Sequence, residues 1–151
     1  MFEGIGDIPK QAMQKLTNKF SNFSKASIGG DRYIKCEGMV AIDGDTFSCQ
    51  PKNGEMYFVR IRGIDAPEKT QNEGEVSLMK LKKITSGKTV KTMDVGVDSY
   101  GRRVAHATAD DDLIALEMIR SGNAIKMLDE VKSKEDKMIE DAEQGAAGYI
   151  N

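Results

Sequence analysis

The sequence predicts a mixed α+β domain. Short apolar stretches with period-two alternation, separated by turn residues, are typical of strands, and five of them occur between residues 33 and 108. A helical stretch interrupts them after the third, and two more helical stretches follow the fifth. This order is expected of a five-stranded OB-type barrel with about three added helices. A chain of 151 residues is long enough for one such domain with its own core.

Turn residues separate the predicted strands. The first turn is predicted at Asp43 and Gly44, because Asp-Gly between two apolar stretches favours a two-residue hairpin. A second lies at 52–55, and a third, which contains a glycine, lies at 98–102. The predicted strands are 33–42, 46–49, 56–64, 89–93 and 104–108.

Three helices are predicted around these strands. The first covers 74–86, because apolar residues recur there every three positions and Gly87 follows as a C-cap. The second begins after 110–112, where an aspartate is predicted as the N-cap, and ends at Gly122. The third covers 131–144, and its predicted apolar side consists of Met138, Ile139 and Ala142.

An extra amphipathic helix is predicted over residues 8–23, within an N-terminal segment and linker of residues 1–30 that precedes a domain of residues 31–151. Its apolar stripe is Ile8, Ala12, Met13, Leu16, Phe20 and Phe23. No acidic residue lies between Ile8 and Gly30, whereas lysines recur. The stripe is compatible with packing on the chain's own barrel, with a membrane surface or with a partner protein.

The charge is unevenly distributed. The formal net charge of −2 is unusual for a nucleic-acid binder. The middle of the chain is basic, and this indicates either an attraction for polyanions or only a solvated helix face. Its basic residues are Lys80, Lys82, Lys83, Lys88, Lys91, Arg102 and Arg103.

The first residues lack the basic and then apolar pattern of a secretory signal, and no apolar stretch is long enough to span a membrane. The sequence does not decide the cellular compartment. The protein as written would be cytoplasmic, and it would be secreted or periplasmic if a leader was removed.

Cys36 and Cys49 lie on two arms of the first hairpin. With a turn at Asp43 and Gly44 they are out of register, and we therefore expect free thiols.

Charged residues cluster at three strand ends. Arg60 lies on the alternating stretch 59–64, and Asp65 and Glu68 follow where Pro67 takes the chain out of the sheet. Asp45 follows the first turn, and Arg102 follows the third. An arginine fork suits a phosphate, whereas carboxylates suit a hard cation such as calcium. Asp45 is equally compatible with a plain turn residue, and each arginine with a surface salt bridge.

Three motifs at these places resemble the staphylococcal nuclease (thermonuclease) family. They are Asp-Gly-Asp-Thr at 43–46, Val-Arg-x-x-Gly-Ile-Asp-Ala-Pro-Glu at 59–68, and Asp-x-Tyr-Gly-Arg at 98–102, in family order. The resemblance covers about residues 33–149. It implies a calcium-dependent nuclease that cuts DNA and RNA and leaves 3′-phosphate ends. The alternative is a binding module of the same fold that has lost activity.

The resemblance also implies a role for each site residue. Asp45, Asp65 and the backbone carbonyl of Ala66 would bind Ca²⁺, supported by Asp43 and Thr46. Arg60 and Arg102 would stabilise charge on the phosphate. Glu68 would deprotonate or only position the attacking water.

Tyr100 resembles a tyrosine that contacts a terminal phosphate, although it could instead be a turn aromatic that packs on the barrel. Arg62 and Arg103 are expected to point away from the site, because side chains alternate along a strand. No aromatic residue occurs in 123–128, so base stacking there is expected to be weak. We expect a monomer that prefers single-stranded substrates.

Overall fold

The computed structural model describes residues 32–68 and 72–146, and the predicted N-terminal helix lies outside them. The described residues form a mixed α+β structure with nine strands and three helices. The strands are β1 (Ile34–Cys36), β2 (Gly38–Asp43), β3 (Thr46–Gln50), β4 (Tyr57–Ile61), β5 (Gly63–Asp65), β6 (Val90–Val97), β7 (Arg103–Ala109), β8 (Asp112–Leu113) and β9 (Ile125–Met127). The helices are α1 (Asn72–Thr85), α2 (Ile114–Arg120) and α3 (Lys134–Asp141).

The main sheet is curled. Its strand order is β1-β6-β7-β4-β3-β2, with β8 added beside β7, and a second sheet consists of β5 and β9. Strands β1 and β2 lie at opposite ends of this order, yet only Glu37 separates them in the chain. The two ends of the sheet must therefore lie close together. The buried core side chains include Phe47, Val59, Ile61, Leu81, Met118, Ile119 and Ile139.

All five predicted strands are present as strands, but two of them are broken. The stretch 33–42 divides at Glu37, and the stretch 56–64 divides at Arg62. In each case the chain changes strand partner: β1 pairs with β6 and β2 with β3, whereas β4 pairs with β3 and β5 with β9. Strands β8 and β9 were not predicted, because a strand of two or three residues is too short to show an alternation of apolar and polar side chains.

The predicted helices are present with shorter or shifted bounds. Gly87 and Gly122 have positive φ angles of 71° and 75°, as a helix C-terminus requires. The predicted aspartate N-cap of α2 is wrong, because the cap residue is Leu113 and it makes no side-chain cap bond. Asp110 and Asp111 instead have positive φ angles of 47° and 71° in the tight turn between β7 and β8.

The prediction of free thiols is also wrong, because Cys36 and Cys49 form a disulfide with Cα atoms 5.2 Å apart. The prediction assumed one continuous strand from residue 33 to the first turn. The break at Glu37 takes Cys36 out of that hairpin and pairs it with Val90 of β6. Because the sheet curls, Cys36 then faces Cys49 of β3 and covalently joins two strands that are not neighbours in the sheet.

Reduction of this disulfide is expected to lower the free energy of unfolding by about 3 kcal/mol, the entropy value for a loop of about 15 residues. Urea unfolding with and without dithiothreitol measures the difference. The Cys36→Ala/Cys49→Ala double variant is the control, and reductant should leave its stability unchanged. Two titratable thiols in the urea-unfolded, unreduced protein would contradict the bond.

Helix α3 is attached to the rest of the structure through Asp136, whose side chain is only 1% exposed. Arg62 of the β4–β5 break donates from Nε to Oδ1 at 2.8 Å and from Nη2 to Oδ2 at 2.9 Å. His106 Nε2 of β7 lies 3.0 Å from Asp136 Oδ1, and the Lys132 amide donates to Oδ2 at 2.9 Å. Hydrogen bonds from Arg62 hold the pKa of Asp136 well below its usual value. One carboxylate therefore ties α3 to two strands.

We expect the free energy of unfolding to fall as the pH decreases from 7 to 5. Burial of the ring lowers the pKa of His106 below its ordinary 6.5, although Asp136 opposes this shift. In the unfolded chain the histidine keeps its ordinary pKa of 6.5 and binds a proton more readily than in the folded protein. Stability is therefore lost as the pH falls below 6.5. Urea unfolding at both pH values measures the loss. His106 is the only histidine in the sequence, and a His106→Gln variant that kept the full difference would contradict this assignment.

Candidate active site

The turn between β2 and β3 consists of Gly44 and Asp45, one residue later than predicted. Asp43 pairs with Thr46 across the turn, and the register shifts between Ala41 and Asp43. Asp43 therefore ends β2, whereas Asp45 lies at the tip, where its side chain turns inward and is only 10% exposed. A plain turn residue at such a tip is normally solvated, so the burial of Asp45 needs specific partners.

Three groups surround the Asp45 carboxylate. The Thr46 hydroxyl donates to Oδ1 at 2.9 Å, and the backbone amide of Ala66 donates to Oδ2 at 2.9 Å. The guanidinium of Arg60 brings Nη2 to within 3.4 Å of Oδ2. The amide of Ala66 thereby fixes the turn against the end of β5.

Asp65 is the last residue of β5, and its side chain is 50% exposed. Its Oδ1 atom lies 3.4 Å from the same Nη2 atom of Arg60 that faces Asp45. The two carboxylates thus share one cation and lie side by side at the mouth of the site. Ala66 is half-buried, and Glu68 is exposed in the segment that leads towards α1.

Arg60 on β4 is held in this position by its other nitrogen. Its Nη1 atom donates to the carbonyl of Ile61 at 3.0 Å and to that of Ile64 at 2.8 Å. These two bonds fix the plane of the guanidinium and leave Nη2 facing the carboxylates. Its side chain is 14% exposed, which is low for a simple surface salt bridge.

Arg102 reaches the same group from the turn between β6 and β7. Its Nε atom donates to Asp98 Oδ2 at 2.7 Å, and its Nη1 atom donates to the Thr46 hydroxyl at 3.2 Å. Thr46 in turn donates to Asp45, so one hydrogen-bonded path runs from Arg102 to the carboxylate pair. Tyr100 is 60% exposed, and its ring centroid lies 5.3 Å from Cζ of Arg102.

Comparison with known proteins identifies the family of this chain. Residues 58–148 match the model of the family described as staphylococcal nuclease homologue. The chain belongs to the staphylococcal nuclease family. A curated relative from Haemophilus influenzae, named an uncharacterized endonuclease, is 36% identical over 89 residues, which are 59% of this chain and 50% of the relative.

Two further relatives carry similar names. A probable staphylococcal-like nuclease, CAN1, from Oryza sativa subsp. japonica is 27% identical over 126 residues, 79% of this chain and 37% of the relative. An uncharacterized endonuclease from Escherichia coli O157:H7 is 34% identical over 84 residues, 55% of this chain and 54% of the relative. The matched part of the chain thus spans about half or less of the length of these relatives.

Two arginines of this staphylococcal nuclease family member lie next to site residues in sequence but contact other groups. Arg62 binds Asp136 of α3. Arg103 is 1% exposed, pairs with Asp94 at 3.1 Å, and stacks with its Cζ atom 4.0 Å from the ring centroid of Tyr57. Burial of the guanidinium lowers the pKa of Arg103, and the negative charge of Asp94 opposes this shift.

Asp98 is a site residue that sequence reasoning missed. Its Oδ1 atom accepts from the amides of Tyr100 and Arg102 at 2.9 and 3.0 Å, and its Oδ2 atom accepts from Arg102 Nε. It therefore fixes both the turn and the arginine. An aspartate three residues before a glycine is a recognised turn former, and that pattern could have identified it.

The donor atoms of this family member suit a hard cation such as calcium. Asp45 and Asp65 supply carboxylate oxygens next to each other, and they already share the positive charge of Arg60. Within the described ranges, no group of three or more acidic, histidine or cysteine side chains converges on one point. A calcium ion here would need backbone, water or substrate oxygens to complete its usual shell of about six to eight.

Proposed function

We propose that this protein is a calcium-dependent nuclease that hydrolyses phosphodiester bonds of DNA and RNA and leaves 3′-phosphate ends. One observation carries the proposal: two adjacent carboxylates and two arginines are joined by one continuous path of hydrogen bonds and ion pairs at the edge of a curled sheet. Such a site can bind a phosphodiester and stabilise the charge that develops on it. The nuclease domain would comprise residues 31–151, with residues 1–30 as a separate N-terminal segment.

Asp45, Asp65 and the backbone carbonyl of Ala66 would hold calcium. The ion, when bound, would neutralise charge on the phosphate and polarise its oxygens. Thr46 keeps the Asp45 carboxylate oriented, because its hydroxyl donates to one oxygen while the Ala66 amide donates to the other. Asp43 would support the turn from the end of β2.

Arg60 and Arg102 would bind the non-bridging phosphate oxygens. Nη1 of Arg60 is anchored to two carbonyls, so its Nη2, which lies 3.4 Å from each carboxylate, would be the nitrogen that faces a phosphate bound beside them. Nη2 of Arg102 has no hydrogen-bond partner within the described part of the chain, whereas its Nε and Nη1 are both engaged. Each guanidinium is thus oriented before substrate arrives, which lowers the cost of stabilising the transition state.

Glu68 would act on water. Its side chain is exposed, and it follows Asp65 by three residues. It would orient a water molecule and accept its proton as the water oxygen attacks phosphorus. The bond from phosphorus to the 5′ oxygen then breaks, the 5′ oxygen takes a proton from solvent, and the phosphate stays on the 3′ carbon of the preceding nucleotide. A general base must lie within reach of the proton that it removes.

Tyr100 would contact the substrate at the rim, where its ring is largely exposed beside Arg102. The wall formed by β9 offers Ile125 and Met127, which are 43% and 52% exposed, and no aromatic side chain. Bases would therefore gain little stacking energy there. A single strand can bring its backbone against the two arginines more easily than a duplex, so we propose a preference for single-stranded DNA and RNA. We also propose that the protein acts as a monomer.

Digestion of end-labelled single-stranded DNA, duplex DNA and RNA tests the proposal. We expect cleavage with calcium, little cleavage with magnesium, and none with a calcium chelator. Product ends should lose phosphate when treated with a 3′-phosphatase. Equal cleavage in calcium and in chelator would overturn the metal assignment. Binding of DNA without cleavage in any metal would favour an inactive nucleic-acid-binding module.

A further inference from the structure

Helix α1 touches the backbone of the Asp45 turn directly. A Cβ atom added to Gly44 would overlap the Ser77 hydroxyl, and it would lie 2.8 Å from Ser77 Cβ and 2.9 Å from Ala66 Cβ. Real Cβ atoms do not approach that closely. Gly44 therefore packs closely against both Ser77 and Ala66, and Ser77 itself is 0% exposed.

The Ser77 side chain is held by the loop that follows α2. Its hydroxyl donates to the carbonyl of Asn123 at 2.7 Å. Asn123 is in turn fixed, because its amide donates to Met118 at 2.9 Å and its side chain donates to Ser121 Oγ at 2.9 Å. A buried serine with its one donor engaged has little rotational freedom, so this loop fixes the surface on which Gly44 rests.

The same loop also reaches the second carboxylate. Two residues after Asn123, Ile125 begins β9 and pairs in register with Asp65. The stretch 123–125 thus contacts Asp65 through the β5–β9 ladder and contacts the Asp45 turn through Ser77 and Gly44.

We propose that Ser77 is a positioning residue that, with stretch 123–125, sets the separation of the Asp45 and Asp65 carboxylates. The positioning role is a statement about the geometry of the two carboxylates. Only its consequences for calcium binding and turnover rest on the proposed function. Ser77 touches no reacting atom; it acts through Gly44 on the direction of the Asp45 side chain. Without the Ser77 hydroxyl, the turn loses a fixed support, and the bond from the Ala66 amide to Asp45 should open more often.

A purely structural role of Ser77 would give a different result. Alanine is a better helix former than serine, but Ser77→Ala also removes the donor to the Asn123 carbonyl, so a lower melting temperature alone is compatible with a purely structural role. Such a role would nevertheless leave the bond from the Ala66 amide to Asp45 unchanged. A suitable control is Thr85→Val, which removes another buried hydroxyl of α1. Among the residues that the structure describes, that hydroxyl bonds only to the carbonyls of Leu81 and Lys82 in its own helix.

Two measurements on the full chain test the inference. Amide hydrogen exchange of Ala66 in metal-free protein reports the bond to Asp45, and it should become at least about tenfold faster in Ser77→Ala, since tenfold corresponds to about 1.4 kcal/mol. Calcium affinity by calorimetry should fall by about 10- to 100-fold, the usual range for groups that support a ligand. Thr85→Val should change neither. Gly44→Ala, which forces the turn away from an intact α1, should reproduce both changes.

The outcomes separate the two proposals. Unchanged Ala66 exchange and unchanged calcium affinity in Ser77→Ala would overturn the positioning role even if the wild-type protein is an active nuclease. A wild-type protein that neither binds calcium nor cleaves nucleic acid would overturn the proposed function, and Ala66 exchange would still decide the positioning role. If Ser77→Ala fails to fold, Gly44→Ala gives the same decision, because normal Ala66 exchange there would contradict the inference.

Discussion

Replacing Asp65 by alanine is expected to abolish calcium-dependent cleavage in a protein that remains folded. The carboxylate is one of two that would hold the metal, so the loss should exceed about 100-fold, the upper value for residues that only support a ligand. Its side chain is half exposed, and its ion-pair partner among the described residues is Arg60 at 3.4 Å. Stability should therefore change by no more than about 1 kcal/mol. Cleavage rate and urea unfolding measure the two effects.

Asp129→Ala is a matched control, because Asp129 is an exposed aspartate outside the candidate site. It removes the same charge and should leave cleavage unchanged. Normal calcium-dependent cleavage by Asp65→Ala would remove Asp65 from the metal site. If both variants lost activity equally, the effect would come from net charge on the protein and not from a ligand.

Arg102→Lys is expected to lower the turnover rate by about 10²–10³, the usual loss for one donor that stabilises transition-state charge. Lysine keeps the positive charge but cannot donate to Asp98 and Thr46 at once while a third nitrogen faces the phosphate. A nucleotide inhibitor should bind with a smaller loss. Arg60→Lys should behave alike, since its Nη1 and Nη2 atoms also have separate partners.

The neighbouring arginine provides the contrast. Arg103→Lys also exchanges a guanidinium for an ammonium, but Arg103 is buried on Tyr57 and beside Asp94. It should cost up to about 2 kcal/mol of stability through the lost stacking and should leave turnover per folded molecule nearly normal. Near-normal turnover in Arg102→Lys and in Arg60→Lys would mean that the two arginines do not stabilise the reaction.

Much of the strand pattern was predictable, because alternation and turn residues act locally. The turn at 98–102 and the C-cap at Gly87 can each be predicted from a single glycine, because glycine tolerates the positive φ angle found there. The breaks at Glu37 and Arg62 were not predictable, because each accompanies a change of partner strand, from β6 to β3 at Glu37 and from β3 to β9 at Arg62, which no local pattern indicates. The wrong prediction for the cysteines follows from the first of these breaks.

The candidate site was predictable in part because its residues lie in three short motifs. The resemblance of these motifs to the family indicated which residues form the site, whereas the path from Arg102 through Thr46 to Asp45 depends on a parallel pairing of distant strands. Ser77 was missed because apolar periodicity selects Leu78, although the buried stripe of α1 is Gly74, Ser77, Leu81 and Thr85.

Asp136 was missed for a related reason. Apolar periodicity drew attention to Met138, which is 48% exposed, and away from the buried acid beside it. The pattern Ser133-x-x-Asp136 is typical of a helix N-terminus, and Ser133 does accept the Asp136 amide at 3.1 Å. That signal places the start of α3, but nothing local indicates that Arg62 and His106 would meet the same carboxylate.

Strands β4 and β7 form the one parallel pair in the part of the chain that the structure describes, and Arg60 faces Val104 within it. Hairpins such as β2–β3–β4 close short loops and form early, whereas this pair must first close a loop that contains all of α1 and β6. Asp45 lies before that loop, Asp65 lies near its start, and Arg102 lies at its end. During refolding, cleavage should therefore return with the last cooperative step, after hairpin signals are already complete. A chain still emerging from the ribosome, stopped within β6, would have its carboxylates but no Arg102 to work with them.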